Sequence, residues 1–278
     1  GPSQRKEADV KPKLLDLFSC AGGAGMGYHR AGFEVFGVDK DPQPRNPHWF
    51  HCGDAIAVLT KLIAGDGVAF DHPDGRRQMV YLADFAAAHA SPPCQKFTAY
   101  RRRGAGVGDS YENLIPETRE ALQAAGLPYV IENVETAKGE LLNPVRYCGS
   151  SFALDVRRHR LFESNVALDA PPCDHSWQTP RFPPATNRTN LRRTVEVGVW
   201  RIPLETQRRA MGIDWMELRE LSEAIPPAYT EFIGRQLMRE VLSDDPDVPL
   251  TSTQLVSLAR YGVTGDHLKG KHDEPNEA

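Results

Sequence analysis

Lys13-Leu14-Leu15-Asp16-Leu17-Phe18-Ser19-Cys20-Ala21-Gly22-Gly23-Ala24-Gly25-Met26-Gly27 is the stretch whose reading decides the fold. Lys13–Phe18 is apolar apart from Lys13 and Asp16, which predicts a short buried strand. A glycine-rich turn follows, and Tyr28–Ala31 continue as a helix. Such a turn lets the backbone approach a ligand and points helix N-terminal amides at it. A second strand, Glu34–Asp39, ends in an acid sixteen residues beyond Gly23. There a carboxylate can accept hydrogen bonds from both hydroxyls of a ribose. Turn and acid together point to a nucleoside-containing cofactor; a tight turn beside a surface aspartate is the competing reading. The pattern is not GxGxxG and no GK[ST] loop occurs, which disfavours NAD and ATP.

Working outward, Val80–Ala83 and Ala86–Ala90 read as further extended segments. Pro116–Ala125 reads as a helix with Glu117, Arg119 and Glu120 on its polar face, and Tyr129–Val134 as a strand running into polar residues. Strands alternating with helices predict an α/β fold, a Rossmann-like domain with a mainly parallel sheet. The character changes near Ser164. Asp169–Arg193 is rich in proline and lacks a period, so loops with short strands are expected; helical pattern returns at Glu205–Met211 and Glu231–Leu242. The expected organisation is an N-terminal arm with a tag remnant over 1–12, a catalytic and cofactor-binding domain over 13–163 and a small irregular target-recognition region over 164–204. Helices over 205–243 complete the catalytic domain, and an acidic, largely flexible tail over 244–278 carries one weak helix candidate at Ser252–Arg260.

The chain has 278 residues and a net charge of −4, which does not by itself announce nucleic-acid binding. The distribution is more telling. Arg101-Arg102-Arg103, Arg157-Arg158-His159-Arg160, Arg188, Arg192-Arg193 and Arg208-Arg209 fall in the middle, while acids such as Asp244, Asp245 and Asp247 gather in the tail. A basic face on a neutral body suits phosphate binding, although surface arginines are usually just solvated. No apolar stretch approaches a membrane span. Five scattered cysteines, Cys20, Cys52, Cys94, Cys148 and Cys173, contain no CxxC pair, which suits a reducing, cytoplasmic setting. His51-Cys52 and Cys173-x-His175 come nearest to metal clusters, but each lacks partners in sequence, so no metal site is expected.

Pro92-Pro93-Cys94-Gln95 follows a mostly apolar run and precedes the arginine triplet. Two prolines fix φ and withhold backbone donors, so the thiol direction is set by a stiff loop. A rigidly aimed thiolate suggests covalent catalysis; a small buried hydrophobe is the equal alternative on these four residues alone.

These motifs together resemble the cytosine-5 methyltransferases that use S-adenosylmethionine. Asp16-Leu17-Phe18-Ser19-Cys20-Ala21-Gly22-Gly23 is similar to their first cofactor motif. Asp39 resembles the ribose-binding acid, and Gly53-Asp54 the motif whose acid binds the adenine amino group. Pro92-Pro93-Cys94-Gln95 resembles the nucleophile loop, Glu132-Asn133-Val134 the catalytic glutamate motif, and Arg158-His159-Arg160 the paired-arginine motif. Ile225-Pro226-Pro227 with Ile233-Gly234-Arg235 is similar to the closing motif. The matches run in the family's order from Leu14 to Leu237.

The resemblance implies Cys94, Glu132, Arg158 and Arg160 as catalytic residues. It implies a cofactor pocket of Phe18, Ser19, Gly22, Gly23, Asp39, Lys40, Asp54, Ala55, Pro93, Glu223 and Ala224, with S-adenosylmethionine as donor and S-adenosylhomocysteine as product. It further implies double-stranded DNA as partner, a flipped target base, no membrane, a monomer, and the cytoplasm of a bacterium or phage-infected cell. The small region after the arginine motif predicts a short recognition site, as suits a phage enzyme. A tRNA cytosine-5 methyltransferase sharing the motifs and a catalytically silent DNA-binding module are the alternatives. The presence of Cys94, Glu132 and Arg160 argues against the second, and the region after the arginine motif carries no RNA signature. There are four departures from the pattern: Cys20 for a glycine, Lys40 where an aromatic often stacks on adenine, Val156 for a glutamine, and Ser222-Glu223 for glycine-asparagine.

Overall fold

A computed structural model describes residues 11–93, 112–179 and 192–243. Gly1–Val241 form one compact unit that holds the sheet, and Leu242–Ala278 form a second. The tail over 244–278, with the helix expected at Ser252–Arg260, lies outside the described residues.

The strands are β1 (Lys13–Leu17), β2 (Glu34–Asp39), β3 (Trp49–Cys52), β4 (Val68–Asp71), β5 (Arg77–Val80), β6 (Phe85–Ala90), β7 (Tyr129–Val134), β8 (Val145–Tyr147) and β9 (Arg160–Ser164), with two-residue strands β10 (Gln178–Thr179) and β11 (Arg192–Arg193). The helices are α1 (Gly23–Arg30), α2 (Ala55–Ile63), α3 (Ile115–Ala125), α4 (Leu204–Met211), α5 (Leu218–Glu223) and α6 (Pro227–Ser243). Among the described residues, β1–β9 form one sheet in the order β5-β4-β3-β2-β1-β6-β7-β9-β8. Its centre, β3-β2-β1-β6-β7, is parallel, and both margins are antiparallel. This is the α/β, mainly parallel architecture read from the sequence.

Central strands of such a sheet are covered on both faces, so they read as near-continuous apolar runs. Leu14, Leu15 and Leu17 are fully buried, as are Phe36, Val38, Ala88, Ala90 and Ile131. The exceptions are polar residues buried in the same strands: Asp16, His89, Glu132 and Asn133. Chain order reverses between β1 and β6, which places the crevice at the carboxyl ends of β1, β2, β6 and β7, where open α/β sheets bind ligands.

Three local readings need correction. Tyr81 is extended, but Leu82 and Ala83 are not, because the chain turns through a 3-10 helix at Leu82–Asp84, closed by Tyr81 N–H donating to the Asp84 carboxylate at 2.8 Å. The first helix begins at Gly23, inside the glycine run. Strands β3, β4, β8 and β9 and helices α2 and α5 were not foreseen. The last two elements, α5 and α6, pack the closing segment onto the glycine turn. Gly27 permits the approach of α1 and α6: a Cβ there would strike Thr230 Oγ1 and the Pro227 carbonyl, and Thr230 Oγ1 donates to the Ala24 carbonyl at 2.8 Å.

Candidate active site

The turn after β1 is held in an unusual backbone state. Phe18, Cys20 and Gly22 have φ of 58°, 44° and 80°. Two of these are non-glycine residues in the left-handed region, a strain that persists only where surroundings impose it and that clusters at ligand sites. The surroundings are on all sides. Asp39, at the end of β2, accepts from Cys20 N–H at 2.9 Å; Asn46 Nδ2 donates to the Cys20 carbonyl at 2.9 Å; Trp215 Nε1 donates to the Ala21 carbonyl at 2.8 Å. Ala224 and Ile225 close against Gly23, so near that a Cβ there would lie 2.9 Å from the Ile225 carbonyl oxygen. Burial, reinforced by the Asp39 and Glu223 carboxylates, pushes the Cys20 thiol far above its ordinary range. That places Glu223 electrically beside the turn, although its side chain is exposed.

Asp39 is almost buried and also accepts from Asp41 N–H at 3.1 Å. A carboxylate offers about four lone-pair positions, so these two amides orient it and leave acceptor capacity for a diol. Asp54 is used locally: it caps α2, accepting from Ala57 N–H at 2.8 Å, as a helix N-cap requires. Lys40 is exposed at the rim, and Ala55 is buried behind Asp54.

Beneath the turn, Asp16 is buried with neither oxygen in a well-formed hydrogen bond, and the nearby Gly25 N–H is the smallest influence on it. Desolvation first, then the neighbouring Asp39 charge, raises its pKa from 3.8 to about 8, so it is held as the neutral acid at neutral pH.

A second group of residues gathers at the ends of β6 and β7. Ser91 N–H donates to the Leu17 carbonyl at 3.1 Å, and Asn133 Nδ2 donates to the Pro92 carbonyl at 2.9 Å. These bonds fix Ser91 and Pro92 beside the strand that carries Glu132. Cys94 itself and Arg101–Arg103 lie outside the described residues, as do Arg181 and Arg188. The Glu132 carboxylate pairs with Arg160 Nε at 3.1 Å. Burial raises its pKa, against the opposing pull of Arg160, a Ser91 hydrogen bond and Arg158. A chain of polar groups backs it: Tyr28 OH meets His89 Nδ1 at 2.9 Å, and His89 Nε2 meets Ser91 Oγ at 2.9 Å. Burial lowers the His89 pKa to about 3, so this imidazole is neutral.

The two arginines of the paired motif are not equivalent. Arg160 lies between Glu132 and the His159 carbonyl, to which Nη1 donates at 2.9 Å. Arg158, with φ 36°, turns its guanidinium toward the closing segment and donates to the carbonyls of Ala224 (2.9 Å) and Ser222 (2.6 Å). These bonds brace that segment against the arginine turn. Over the arginine turn opens a cleft of about 400 Å³ lined by Arg158, Arg160 and residues from Thr194 to Val199.

The sequence reading passed over Ser91, His89, Tyr28, Asn46 and Trp215. A histidine inside an otherwise alanine strand (Phe85–Ala90) was the available signal for His89. It also dismissed Cys173-x-His175 as partnerless. The fold brings Cys148 and His159 to that pair, partners that spacing along the chain did not show.

The chain matches no protein-family model. It is 25% identical over 279 aligned residues to the type II methyltransferase M.XorII of Xanthomonas oryzae pv. oryzae, covering 96% of this chain and 56% of that protein. It is 29% identical over 176 residues to the type II methyltransferase M.AquIA of a Picosynechococcus species, covering 55% of this chain and 65% of that protein. The chain thus spans between half and two thirds of these curated relatives. Among solved structures, DNMT2 of Spodoptera frugiperda, crystallised as a mutant, aligns with a TM-score of 0.46 at 13% identity, covering 82% of this chain and 99% of that one. Both sequence relatives are type II methyltransferases, and it is these that the chain, with its ordered motifs, is similar to.

Proposed function

We propose that this chain transfers a methyl group from S-adenosylmethionine to C5 of cytosine in double-stranded DNA, through a covalent bond between Cys94 and C6 of a flipped base. The observation that carries the reading is the clamp between Asn133 and the Pro92 carbonyl. It ties the start of the Cys94 loop to the strand that carries the buried Glu132–Arg160 pair.

The residues at the carboxyl ends of β1 and β2 fit a nucleoside. Asp39 keeps acceptor capacity for two ribose hydroxyls, the strained turn at Phe18–Gly22 presents backbone to a ligand, and Gly23 leaves no room for a side chain. Asp54, Ala55, Pro93 and Ala224 complete the set that the family resemblance assigns. Lys40 and Glu223 are the departures, and Glu223 adds a negative charge near a cationic sulfonium. When bound, S-adenosylmethionine supplies an electrophilic methyl group.

The chain's own residues must then make cytosine C5 nucleophilic. The Cys94 thiolate adds to C6, and the ring electrons it displaces move toward N3 and C5. Glu132 answers the charge at N3, and burial, which raises its pKa against the pull of Arg160, favours its sharing a proton with that atom. Arg160 steadies Glu132 and faces the cleft where the base O2 would lie. Once C5 carries its methyl group, loss of the C5 proton and departure of the Cys94 sulfur restore the aromatic ring. A stacked base hides these atoms, so the base must leave the duplex. The cleft over the arginine turn is of the size that admits one.

Trapping tests the reading. With cofactor, the wild-type chain should form a denaturant-stable adduct with DNA containing 5-fluorocytosine, since fluorine cannot leave as a proton does. The Cys94→Ser variant should form none while binding cofactor normally. Turnover on DNA without an adduct removes Cys94 from the mechanism, and an adduct with fluorinated tRNA alone moves the substrate to RNA.

A further inference from the structure

Two cysteines and two histidines gather beside the arginine motif. Strands β8 and β9 are antiparallel with Tyr147 opposite Arg160, and Gly149 N–H continues the ladder to the Arg157 carbonyl at 2.7 Å. Cys148 and His159 therefore face one another between these two pairs. The chain then leaves β9 and returns along 171–176, bringing Cys173 and His175 onto them. Cys148 Sγ lies 3.2 Å from His175 Nε2, Cys173 Sγ lies 3.6 Å from His159 Nε2, and all four donor atoms fall within 4.8 Å of one another.

Four thiol and imidazole donors at these separations fit one small ion. Tetrahedral zinc with sulfur at about 2.3 Å and nitrogen at about 2.0 Å needs donor–donor edges of roughly 3.3–3.8 Å. The outer contacts have the form that such sites use. His159 presents Nε2 inward and bonds Glu135 Oε2 through Nδ1 at 3.1 Å, the carboxylate–histidine arrangement that fixes a ligand's tautomer. Ser150 Oγ donates to Cys148 Sγ at 3.1 Å and accepts from Asp174 N–H at 3.2 Å. Ser151 Oγ reaches the Pro172 carbonyl at 2.8 Å. The loop carrying the last two ligands is thus secured to the segment carrying the first.

We propose that Cys148, His159, Cys173 and His175 bind one zinc ion. Four protein ligands close the coordination sphere, so the ion is structural. Its position gives it a job. His159 is the residue between Arg158 and Arg160, and the 171–176 loop leads into the segment that borders the cleft. The ion would lock the arginine turn to the start of the target-recognition region, holding Arg160 against Glu132.

The test is metal analysis of the full wild-type chain, freed of any histidine tag and dialysed against metal-free buffer. About one zinc per chain is expected, released in step with thiol modification by a mercurial. Cobalt exchanged into the site should show the visible d–d bands of a tetrahedral ion with thiolate charge-transfer bands. Cys52→Ser should retain the metal; Cys173→Ser should lose it, and because that variant is open to misfolding the wild-type stoichiometry and cobalt spectrum decide. A folded wild-type chain that holds less than about a tenth of an equivalent after zinc is offered, or a Cys148–Cys173 disulfide in its place, overturns the proposal.

Discussion

The substitution Asp16→Asn should make the protein more stable, and increasingly so as pH rises. Asp16 is buried in the central strand with neither oxygen in a well-formed hydrogen bond, and its pKa is raised from 3.8 to about 8 by burial first and by Asp39 second, against a smaller opposing pull from the Gly25 N–H. Between those values the folded chain keeps a proton that the unfolded chain releases, so stability falls as pH rises, by about 1.4 kcal/mol per pH unit. Below the unfolded pKa both states hold the proton and nothing is lost; above about 8 both release it and the loss is complete, at an upper bound of roughly 6 kcal/mol. A carboxamide in place of the Asp16 carboxyl fills the same space without an ionisable proton. Urea unfolding of both proteins at about pH 5 and about pH 7.5 should show the variant's advantage growing by about 3 kcal/mol across that interval. A difference that stays constant with pH would mean that Asp16 is ionised in the folded state and stabilised by a partner, which refutes a buried neutral acid.

Ser91→Ala removes a hydrogen bond that favours ionised Glu132; the Glu132 limb of the kcat–pH profile should move to higher pH with cofactor affinity unchanged, and an unmoved limb separates Ser91 from Glu132. Arg158→Ala should weaken cofactor binding by about 1–3 kcal/mol, through two lost charge-assisted bonds to the closing segment. Calorimetry should show that loss while DNA affinity changes little, and the reverse pattern would return Arg158 to the base. Methylation mapped across a genome should show a short site, about two to four base pairs by contact arithmetic, because only Leu161–Leu204 separate the arginine motif from the returning helices. Binding should fall steeply with salt, and sites of six or more defined base pairs would show that another chain or a larger surface supplies the specificity.

The parts of the fold that were legible share one property: the local pattern and the tertiary demand agree. β2 and β7 were read to the residue, and α3 within one, because buried parallel strands must be apolar runs and Gly126, in a left-handed turn, ends α3 as a C-cap glycine does. α2 was missed although Asp54 is its N-cap, because that acid had been read as a ligand to adenine and one carboxylate can serve as a cap without any cofactor. Leu82 and Ala83 were misread because these apolar residues continue the pattern of β5, while the turn depends on a single acid, Asp84. The site divides the same way. Residues whose chemistry is carried by a contiguous motif were visible, whereas the group around Glu132 depends on Ser91 and His89 from the neighbouring strand, and the Cys148–His159–Cys173–His175 cluster on a return loop. Such neighbours are set by strand order, which spacing along the chain does not encode.

Strand order also explains why two chemical tasks can be done as one. The glycine turn ends β1, and the Cys94 loop begins just past β6, β1's immediate neighbour. Ser91 N–H to the Leu17 carbonyl joins them directly. The other junction runs through side chains from distant sequence. Tyr229 OH donates to the Arg158 carbonyl at 2.9 Å, Arg158 grips the carbonyls of Ser222 and Ala224, and Ala224 with Ile225 rests on Gly23. The arginine turn, the closing segment and the glycine turn therefore form a closed ring of contacts around the crevice. The proposed methyl transfer would require donor and acceptor carbons to be aligned within fractions of an ångström. Segments each held by the next would meet that demand without a rigid scaffold of their own, and the four-ligand cluster at His159 would anchor them at the arginine turn.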